Sequence, residues 1–238
     1  MGKKTIFFDL DDTLYDRSVP YCKAFTAFFG GRYAEQAMSA FLQTMLRGYE
    51  VFAAAHTGQM TMEAMHIYRH QTGLRDVGIE ITPEEALQMQ ALYAERQCHI
   101  SLTPVMEEAL SFCQAHFAAV GVITNGGVQS QQDKLKSLGV ERWVRPELVL
   151  ISDALGVMKP APDIFRLAER AAGARAEDCV YVGDSYSQDV ASAGGCGWET
   201  IWLNRRGGAA GDLAPTYCVR EERELLACLK AMTQEAQR

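Results

Sequence analysis

From residue 104 onwards the chain alternates between short apolar runs and segments with helical spacing. Thr103-Pro104 is the start of one predicted helix. We predict strands at 118–123, 148–151, 179–182 and 199–203, and further helices at 128–138, 162–172, 187–193 and 221–232. Strands separated by helices of this length form βαβ units, and these require a parallel sheet. Residues 6–8 form one more short apolar strand, which must join the same sheet.

The stretch from about Val19 to Gln97 interrupts this pattern, because it has helical spacing and almost no strand signal. Thr82-Pro83-Glu84-Glu85 is a typical helix start, and a preceding helix is predicted to end near Gly73. The sequence thus predicts an α/β protein with a three-layer, Rossmann-like core that contains a doubly wound parallel sheet. This core comprises residues 1–16 and 101–238, and an inserted α-helical domain of four or five helices comprises residues 17–100.

Composition and charge exclude some classes of partner. The 238 residues carry a formal net charge of −7, which argues against binding to nucleic acid or to an anionic membrane surface. No apolar run is long enough to span a bilayer. An anionic ligand would need a local positive centre, supplied by a metal ion or by particular Lys and Arg side chains.

The cysteines indicate a reducing compartment. There are seven, they are scattered, and none forms a Cys-x-x-Cys pair, so we expect reduced and mostly buried thiols. Met1-Gly2-Lys3-Lys4 leads directly into the first strand, and we expect no signal peptide. The expected location is the cytoplasm.

Asp9 and Asp11 directly follow the first predicted strand. Side chains two residues apart in extended chain point to the same side, so both carboxylates are predicted to face one point beyond the strand end. Two adjacent anions there require a cation, a shared proton, or both. The stretch alone leaves two interpretations: an active site, which the position at a strand end favours, or a turn whose Asp side chains cap the next helix.

Further polar groups follow other predicted strands or precede a helix. They are Thr124-Asn125, Lys159, and Asp184 with Asp189. Because the carboxyl ends of parallel strands lie on one edge of a sheet, the groups at strand ends should converge there, and Lys159 can point to the same edge. Each signal is weak alone, but their joint occurrence in this order predicts one composite site.

These segments together resemble the four motifs of the haloacid dehalogenase superfamily of phosphohydrolases. The matches are Asp9-Leu10-Asp11-Asp12-Thr13 for Asp-x-Asp-x-Thr, 122–125 for the apolar strand that ends in Thr or Ser, Lys159 for the lone Lys, and 183–189 for Gly-Asp-x-x-x-x-Asp. The resemblance covers essentially the whole chain. It implies that residues 17–100 are the family's small α-helical cap, which covers the site and meets the substrate.

The resemblance implies a role for each residue of the site. Asp9 would be the nucleophile that forms an aspartyl-phosphate. Asp11 would protonate the leaving oxygen and then, as a base, activate water. Thr124 would bind a phosphoryl oxygen, aided by backbone N–H groups near Leu10, Asp11 and Asn125, and Lys159 would neutralise phosphoryl charge.

Mg²⁺ is the cofactor that the resemblance implies, since it prefers oxygen ligands. Its ligands would be a carboxylate oxygen of Asp9, the backbone carbonyl of Asp11, and Asp184, with Asp189 supporting the ion directly or through water. No cluster of His or Cys accompanies these residues, which argues against Zn²⁺.

The acid at position 11 distinguishes phosphate-cleaving members of the superfamily from those that cleave carbon–halogen bonds. Members that cleave carbon–halogen bonds lack an acid at this position, because a halide needs no proton, so phosphate chemistry is expected here. Lys23 is the single Lys of the helical insert, which is thin support for the phosphonate-cleaving relatives that use a cap Lys. A phosphomutase remains an open alternative, as does a scaffold or sensor without turnover, although the chain retains all the catalytic groups.

The expected function is a Mg²⁺-dependent phosphatase that acts on a small phosphorylated metabolite, such as a nucleotide, FMN or a sugar phosphate. We expect no nucleic-acid or membrane partner, and either a monomer or a homodimer. Several basic residues that could bind ligands are instead expected at solvated surfaces: His66, His70, Arg47, Arg69, Arg205 and Arg206.

Overall fold

The computed structural model describes residues 3–235, and the chain divides into two compact units. The sheet unit contains the residues up to Asp16 and those from Ser101 onwards, and the helical unit contains Arg17–Ile100. None of the helices within residues 3–235 combines the length and the apolarity that crossing a bilayer demands.

A parallel sheet of six strands forms the centre of the sheet unit, in the order β3-β2-β1-β4-β5-β6. The prediction of an α/β fold with a doubly wound parallel sheet is confirmed. The central strand β1 is buried along its whole length, as expected where helices cover both faces of a parallel sheet. The strands are β1 (Thr5–Phe8), β2 (Ala119–Thr124), β3 (Val149–Ile151), β4 (Cys179–Gly183), β5 (Glu199–Leu203) and β6 (Tyr217–Val219).

Helices cover both faces of this sheet. Phe7 and Tyr181 face one side, where they pack with Ile164 and Phe165 of one helix, so the alternate strand residues face the other side. The helices of the sheet unit are α5 (Pro104–His116), α6 (Val128–Leu138), α7 (Ser152–Leu155), α8 (Pro162–Ala172), α9 (Ala191–Gly195) and α10 (Glu222–Glu235). Gly139 and Gly173 end α6 and α8 in the left-handed conformation, with φ of 63° and 62°, as their positions in the sequence predict.

Two elements of the sheet unit have no counterpart among the predicted ones. β6 is only three residues long and partly exposed, so it lacks both the length and the apolar run that identify a strand. The four-residue helix α7 is too short to show helical spacing. The helix predicted at 187–193 is also different, because a wider π-type turn at Tyr186–Val190 precedes α9.

The cysteines are less buried than expected. No disulfide joins the seven residues, and Cys113, Cys179 and Cys196 lie in the interior. Cys98 and Cys218 are exposed, however, because scattered positions near apolar runs do not specify the inward-facing side of an element.

The helical unit contains four α-helices within residues 17–100: α1 (Ser18–Phe28), α2 (Ala37–His56), α3 (Met62–Arg75) and α4 (Pro83–Gln97). Thr82 starts α4 as predicted: its hydroxyl accepts from the Glu85 N–H at 3.2 Å, and the Glu85 carboxylate accepts from the Thr82 N–H at 2.7 Å. The core of this unit is rich in aromatic and Met side chains, which pack with Leu74 and Ile79: Tyr21, Phe25, Phe41, Met45, Met89 and Tyr93.

Gly73 does not end α3, which continues to Arg75. A Cβ at Gly73 would lie 2.6 Å from the backbone of Thr44, so the glycine instead lets α3 pack directly against α2. A glycine selected for close helix packing and one that ends a helix look alike in sequence.

We expect Gly73→Ala to lower the free energy of unfolding. Overpacking of this kind costs about 1–3 kcal/mol, which exceeds the gain of about 1 kcal/mol from replacing Gly by Ala inside a helix. Gly48→Ala on α2 is the matched control, since its Cβ would meet Arg69 at an ordinary 3.5 Å and should leave the protein equally or more stable. Urea unfolding followed by circular dichroism measures both, and a Gly73→Ala variant as stable as Gly48→Ala would contradict the packing argument.

His70 is fully buried, so its expected surface position is wrong, as is that of Arg69. The His70 Nε2–H donates to the side-chain carbonyl of Gln90 at 3.0 Å, and Arg69 donates to the same oxygen. Burial lowers the pKa of His70 well below its usual value, and the neighbouring Arg69 guanidinium lowers it further. His70 is therefore neutral in the folded protein.

Acidification should destabilise the protein through this histidine. An unfolded chain binds a proton at His70 below a pH of about 6.5, whereas the folded chain does not, so stability falls as pH drops below that value. The expected slope is about 1.4 kcal/mol per pH unit for one such histidine. Urea unfolding between pH 7.5 and 5 should show a smaller slope for His70→Asn and an unchanged slope for His99→Asn, which alters an exposed histidine.

Candidate active site

Polar side chains from three neighbouring strands lie at the carboxyl edge of the sheet. Asp9 follows β1, Thr124 ends β2, and Asp184 follows β4. Because β1 pairs in parallel with both β2 and β4, these strands end at the same level. The Asp9 N–H extends the ladder by donating to the Val182 carbonyl at 2.8 Å. Parallel register thus places these sequence-distant residues together.

Lys159 lies in the loop before α8 and reaches into this edge, where its side chain is 2% exposed. Its Nζ is 2.6 Å from a carboxylate oxygen of Asp9, 2.6 Å from one of Asp189, and 2.9 Å from the Tyr181 hydroxyl. The Tyr181 hydroxyl in turn donates to the Ile123 carbonyl at 2.8 Å. Each ammonium hydrogen therefore has an acceptor, and the cation is fixed relative to β2 and β4.

The charges of this cluster do not balance. Burial raises the pKa of Asp9 from 3.8 to about 7 against the attraction of Lys159, and Asp189 adds to the rise. Burial alone would lower the pKa of Lys159, but Asp189 and Asp9 outweigh it and hold that pKa well above its usual value. Lys159 thus stays charged, and one cation faces more carboxylate charge than it neutralises.

Asp184 adds a third carboxylate to this cluster. Oxygens of Asp9, Asp184 and Asp189 lie within 4.8 Å of one another. Gly183 makes this approach possible, because a Cβ there would lie 2.4 Å from the Asp189 carboxylate, which also accepts from the Ser185 N–H at 2.9 Å. Oxygen ligands with a surplus of negative charge suit a Mg²⁺ ion, so the residues present fit that cofactor.

The predicted phosphate-binding residues occupy different positions. Thr124 is buried at the end of β2. The Asn125 side chain accepts from the Lys159 N–H at 2.9 Å and donates to the Lys159 carbonyl at 2.8 Å, so it holds the backbone that carries the buried cation. Leu10 has a completely buried side chain, which leaves only its backbone to meet a ligand.

Asp11 lies two residues beyond Asp9, but its carboxylate has its own cation. Lys134 of α6 places its Nζ 2.9 Å and 2.8 Å from the two carboxylate oxygens. Gln131 of the same helix donates to this carboxylate at 3.4 Å, and the Tyr15 hydroxyl also donates to it. Lys159 thus pairs with Asp9, whereas Lys134 pairs with Asp11.

Sequence reasoning did not identify Lys134 or Gln131. The available signal is their spacing, since residues three apart lie on the same face of a helix. A polar residue on a helix is normally solvated, however, and nothing in the α6 pattern shows that this face is the buried one.

Arg205 and Arg206 contact the loop after β1; Arg206 is exposed as expected, whereas Arg205 is partly buried. Arg206 is 3.0 Å from the carboxylate of Asp12 and also pairs with Asp16. Arg205 donates to the Asp12 carbonyl at 3.0 Å and pairs with Glu222 at 2.7 Å. Asp12 has a left-handed φ of 63°, which is uncommon for a residue with a side chain, and these two contacts stabilise it there.

The model of the haloacid dehalogenase-like hydrolase family matches residues 3–197. That range contains the helical unit and the four clustered residues at the sheet edge, Asp9, Lys159, Asp184 and Asp189. The chain belongs to the haloacid dehalogenase-like hydrolase family. The family resemblance drawn from the motifs is therefore confirmed.

Family relatives that span nearly the whole chain differ in their reactions. The chain is 28% identical over 241 residues to a glyceraldehyde 3-phosphate phosphatase of Methanopyrus kandleri, and the match covers 98% of this chain and 99% of the relative. It is 25% identical to an (S)-2-haloacid dehalogenase of Pseudomonas fluorescens, with 92% of each chain covered. The family alone therefore does not determine the reaction.

Solved structures of the family share the fold. YfnB of Bacillus subtilis, determined with bound magnesium, matches with a TM-score of 0.74 and 23% identity over 96% of this chain and 99% of that one. At this level of identity the similarity establishes the fold of the hydrolase family and nothing finer.

A divalent cation should stabilise the folded protein, because it neutralises the surplus charge of Asp9, Asp184 and Asp189. Stabilisation reaches about 2.7 kcal/mol when the free ion is at 100 times its dissociation constant. The thermal midpoint should rise on changing from EDTA to millimolar MgCl₂, and Asp184→Asn should remove most of this rise. Asp153→Asn, which alters an exposed carboxylate, should retain it. No rise in the unaltered protein would contradict the assignment of a cation site.

Proposed function

We propose that this hydrolase is a Mg²⁺-dependent phosphatase that cleaves a small phosphomonoester through an aspartyl-phosphate. The observation that carries the proposal is the environment of Asp9, whose carboxylate is buried at the sheet edge against Lys159 and beside Asp184 and Asp189. A second acid, Asp11, follows two residues later. One edge of the sheet thus supplies a nucleophile, groups that neutralise charge, and a group that transfers protons.

In the first step, a carboxylate oxygen of Asp9 attacks phosphorus and the bond from phosphorus to the leaving oxygen breaks. Asp11, in its acid form, gives its proton to that oxygen, so the alcohol leaves neutral and Asp9 carries the phosphoryl group. Asp9 must be an anion to attack, and Lys159 at 2.6 Å favours that form.

In the second step, water attacks the phosphorus of the aspartyl-phosphate. Asp11, now a carboxylate, takes a proton from this water, and the bond between phosphorus and Asp9 breaks. Inorganic phosphate leaves, and both residues return to their starting protonation states.

Phosphoryl charge needs fixed donors in both steps. Lys159 and the Thr124 hydroxyl, with backbone N–H groups near Leu10, Asp11 and Asn125, would stabilise the equatorial oxygens. Mg²⁺ would add positive charge at the same oxygens. Asp9, Asp184 and the Asp11 carbonyl would hold this ion, with Asp189 supporting it directly or through water.

Asp11 supports cleavage of an ester over cleavage of a carbon–halogen bond. A halide leaves without a proton, whereas an alcohol leaving group needs one from an acid near the scissile bond. The name of the Methanopyrus kandleri relative supports the same reading and adds glyceraldehyde 3-phosphate to the candidate substrates, beside nucleotides, FMN and sugar phosphates.

The helical unit, Arg17–Ile100, is proposed to be the α-helical cap of the family and to select among these substrates. On one face of α2 the side chains of Leu42, Leu46 and Tyr49 are exposed, and exposed apolar surface of this kind is typical of ligand- or partner-binding regions. The enzyme is proposed to act on metabolites in the cytoplasm.

The proposal predicts phosphate release from a panel of phosphomonoesters. Purified protein with MgCl₂ should hydrolyse 4-nitrophenyl phosphate and one or more of glyceraldehyde 3-phosphate, nucleoside monophosphates, FMN and sugar phosphates. EDTA should abolish this activity. Asp9→Asn should lower kcat by roughly 10³- to 10⁶-fold, the range expected when a covalent nucleophile is removed.

Asp212→Asn is the matched control, since this carboxylate is exposed in the sheet unit and should leave kcat unchanged. Circular dichroism of Asp9→Asn should match the unaltered protein. Retention of near-normal turnover by a folded Asp9→Asn variant would eliminate Asp9 as the nucleophile. Failure of the unaltered protein to hydrolyse every panel member would reject the phosphatase proposal.

A further inference from the structure

The Asp11 carboxylate is enclosed by side-chain donors of the protein. One oxygen accepts from Tyr15 and from Lys134 at 2.9 Å, and the other accepts from Lys134 at 2.8 Å and from Gln131 at 3.4 Å. These donors contact both oxygens, while the Asp11 side chain remains 17% exposed, so an oxygen can still exchange a proton with a ligand or water. The orientation of the carboxylate is set by these side-chain donors.

Lys134 provides the strongest of these contacts. Its ammonium binds both carboxylate oxygens, and the side chains of Lys134 and Asp11 are 7% and 17% exposed. A charge-assisted contact to both oxygens at this burial fixes the plane of the carboxylate more firmly than a neutral donor does. Burial of the Lys134 ammonium costs solvation free energy, and an exposed position on α6 would not carry this cost.

Neighbouring residues hold the Lys134 side chain in its contact with Asp11. The Gln131 side-chain carbonyl accepts from Lys134 at 3.4 Å, while its amide donates to the Asn125 carbonyl at 3.0 Å. A Cβ at Gly126 would lie 2.3 Å from that amide, so the glycine after Asn125 is what admits Gln131. The start of α6 is thereby built around the contact with Asp11.

We propose that Lys134 is a positioning residue for proton transfer, which holds the Asp11 carboxylate where it can exchange a proton with the leaving oxygen and then with water. This inference rests on the proposed phosphatase function. Proton transfer demands hydrogen-bond distance, so a misplaced Asp11 would slow it even though the residue is present.

A leaving-group comparison tests this role. 4-Nitrophenyl phosphate has a stable leaving anion that needs little help from an acid, whereas phenyl and alkyl phosphates depend on one. Lys134→Met should lower kcat/KM about 10- to 100-fold more for phenyl phosphate than for 4-nitrophenyl phosphate, a fraction of the 10²–10⁴-fold typical of general acid–base catalysis. Lys134→Arg should restore most of the loss, because it keeps the cation.

Lys136→Met is the matched control, since this lysine lies two residues further along α6 with an exposed side chain. It should leave kcat/KM unchanged for both substrates. Circular dichroism should show that each variant is folded, and Lys134→Arg provides the measurement if Lys134→Met does not fold.

A double-mutant cycle with Asp11→Asn separates positioning from other roles. If Lys134 acts through Asp11, Lys134→Met should cause no further loss of kcat/KM in the Asp11→Asn background. An equal loss for both substrates, or a loss that persists in that background, would overturn the inference and indicate a structural or substrate-binding role. An inactive unaltered protein would instead overturn the phosphatase proposal, and the inference with it.

Discussion

The rest of the site depends on two buried ion pairs, which the Lys159 ammonium makes with the carboxylates of Asp9 and Asp189. A buried cation is tolerated only where every hydrogen has an acceptor and opposite charge is adjacent. Lys159 meets both conditions because parallel strands end at one level and Asn125 fixes the backbone on which it is carried. The sheet therefore holds one buried cation close to several carboxylates, even though their charges do not balance.

The two acids of the first motif are given different environments by two lysines. Asp9 faces Lys159 within a cluster that has too much negative charge, which suits a group that receives a phosphoryl group with the help of a divalent cation. Asp11 faces Lys134 outside that cluster, where it is partly exposed. Acids with distinct surroundings can carry out distinct roles although they are two residues apart, and this is a general route to separate a nucleophile from a proton carrier.

Much of the fold could be predicted from local patterns, because strand and helix periods, helix starts such as Thr82-Pro83 and the end of α6 at Gly139 depend on neighbours in sequence. The approach of Asp9 and Asp184 could be anticipated as well, since it follows from parallel topology. Lys134, His70 and Arg205 could not be placed in this way. Their partners are set by side-chain packing between elements, and a polar residue that faces inwards has the same local pattern as one that faces solvent.

The pairing of Lys134 with Asp11 also restricts how this chain can diverge. If position 11 lost its carboxylate, which a halide leaving group would permit because it needs no proton, the Lys134 side chain would remain 7% exposed without the carboxylate it contacts. Such a lineage would gain stability by replacing the lysine with a neutral residue. Positions 11 and 134 should therefore change together in evolution, and the residue at 134 would mark the reaction type of a relative even where the first motif is ambiguous.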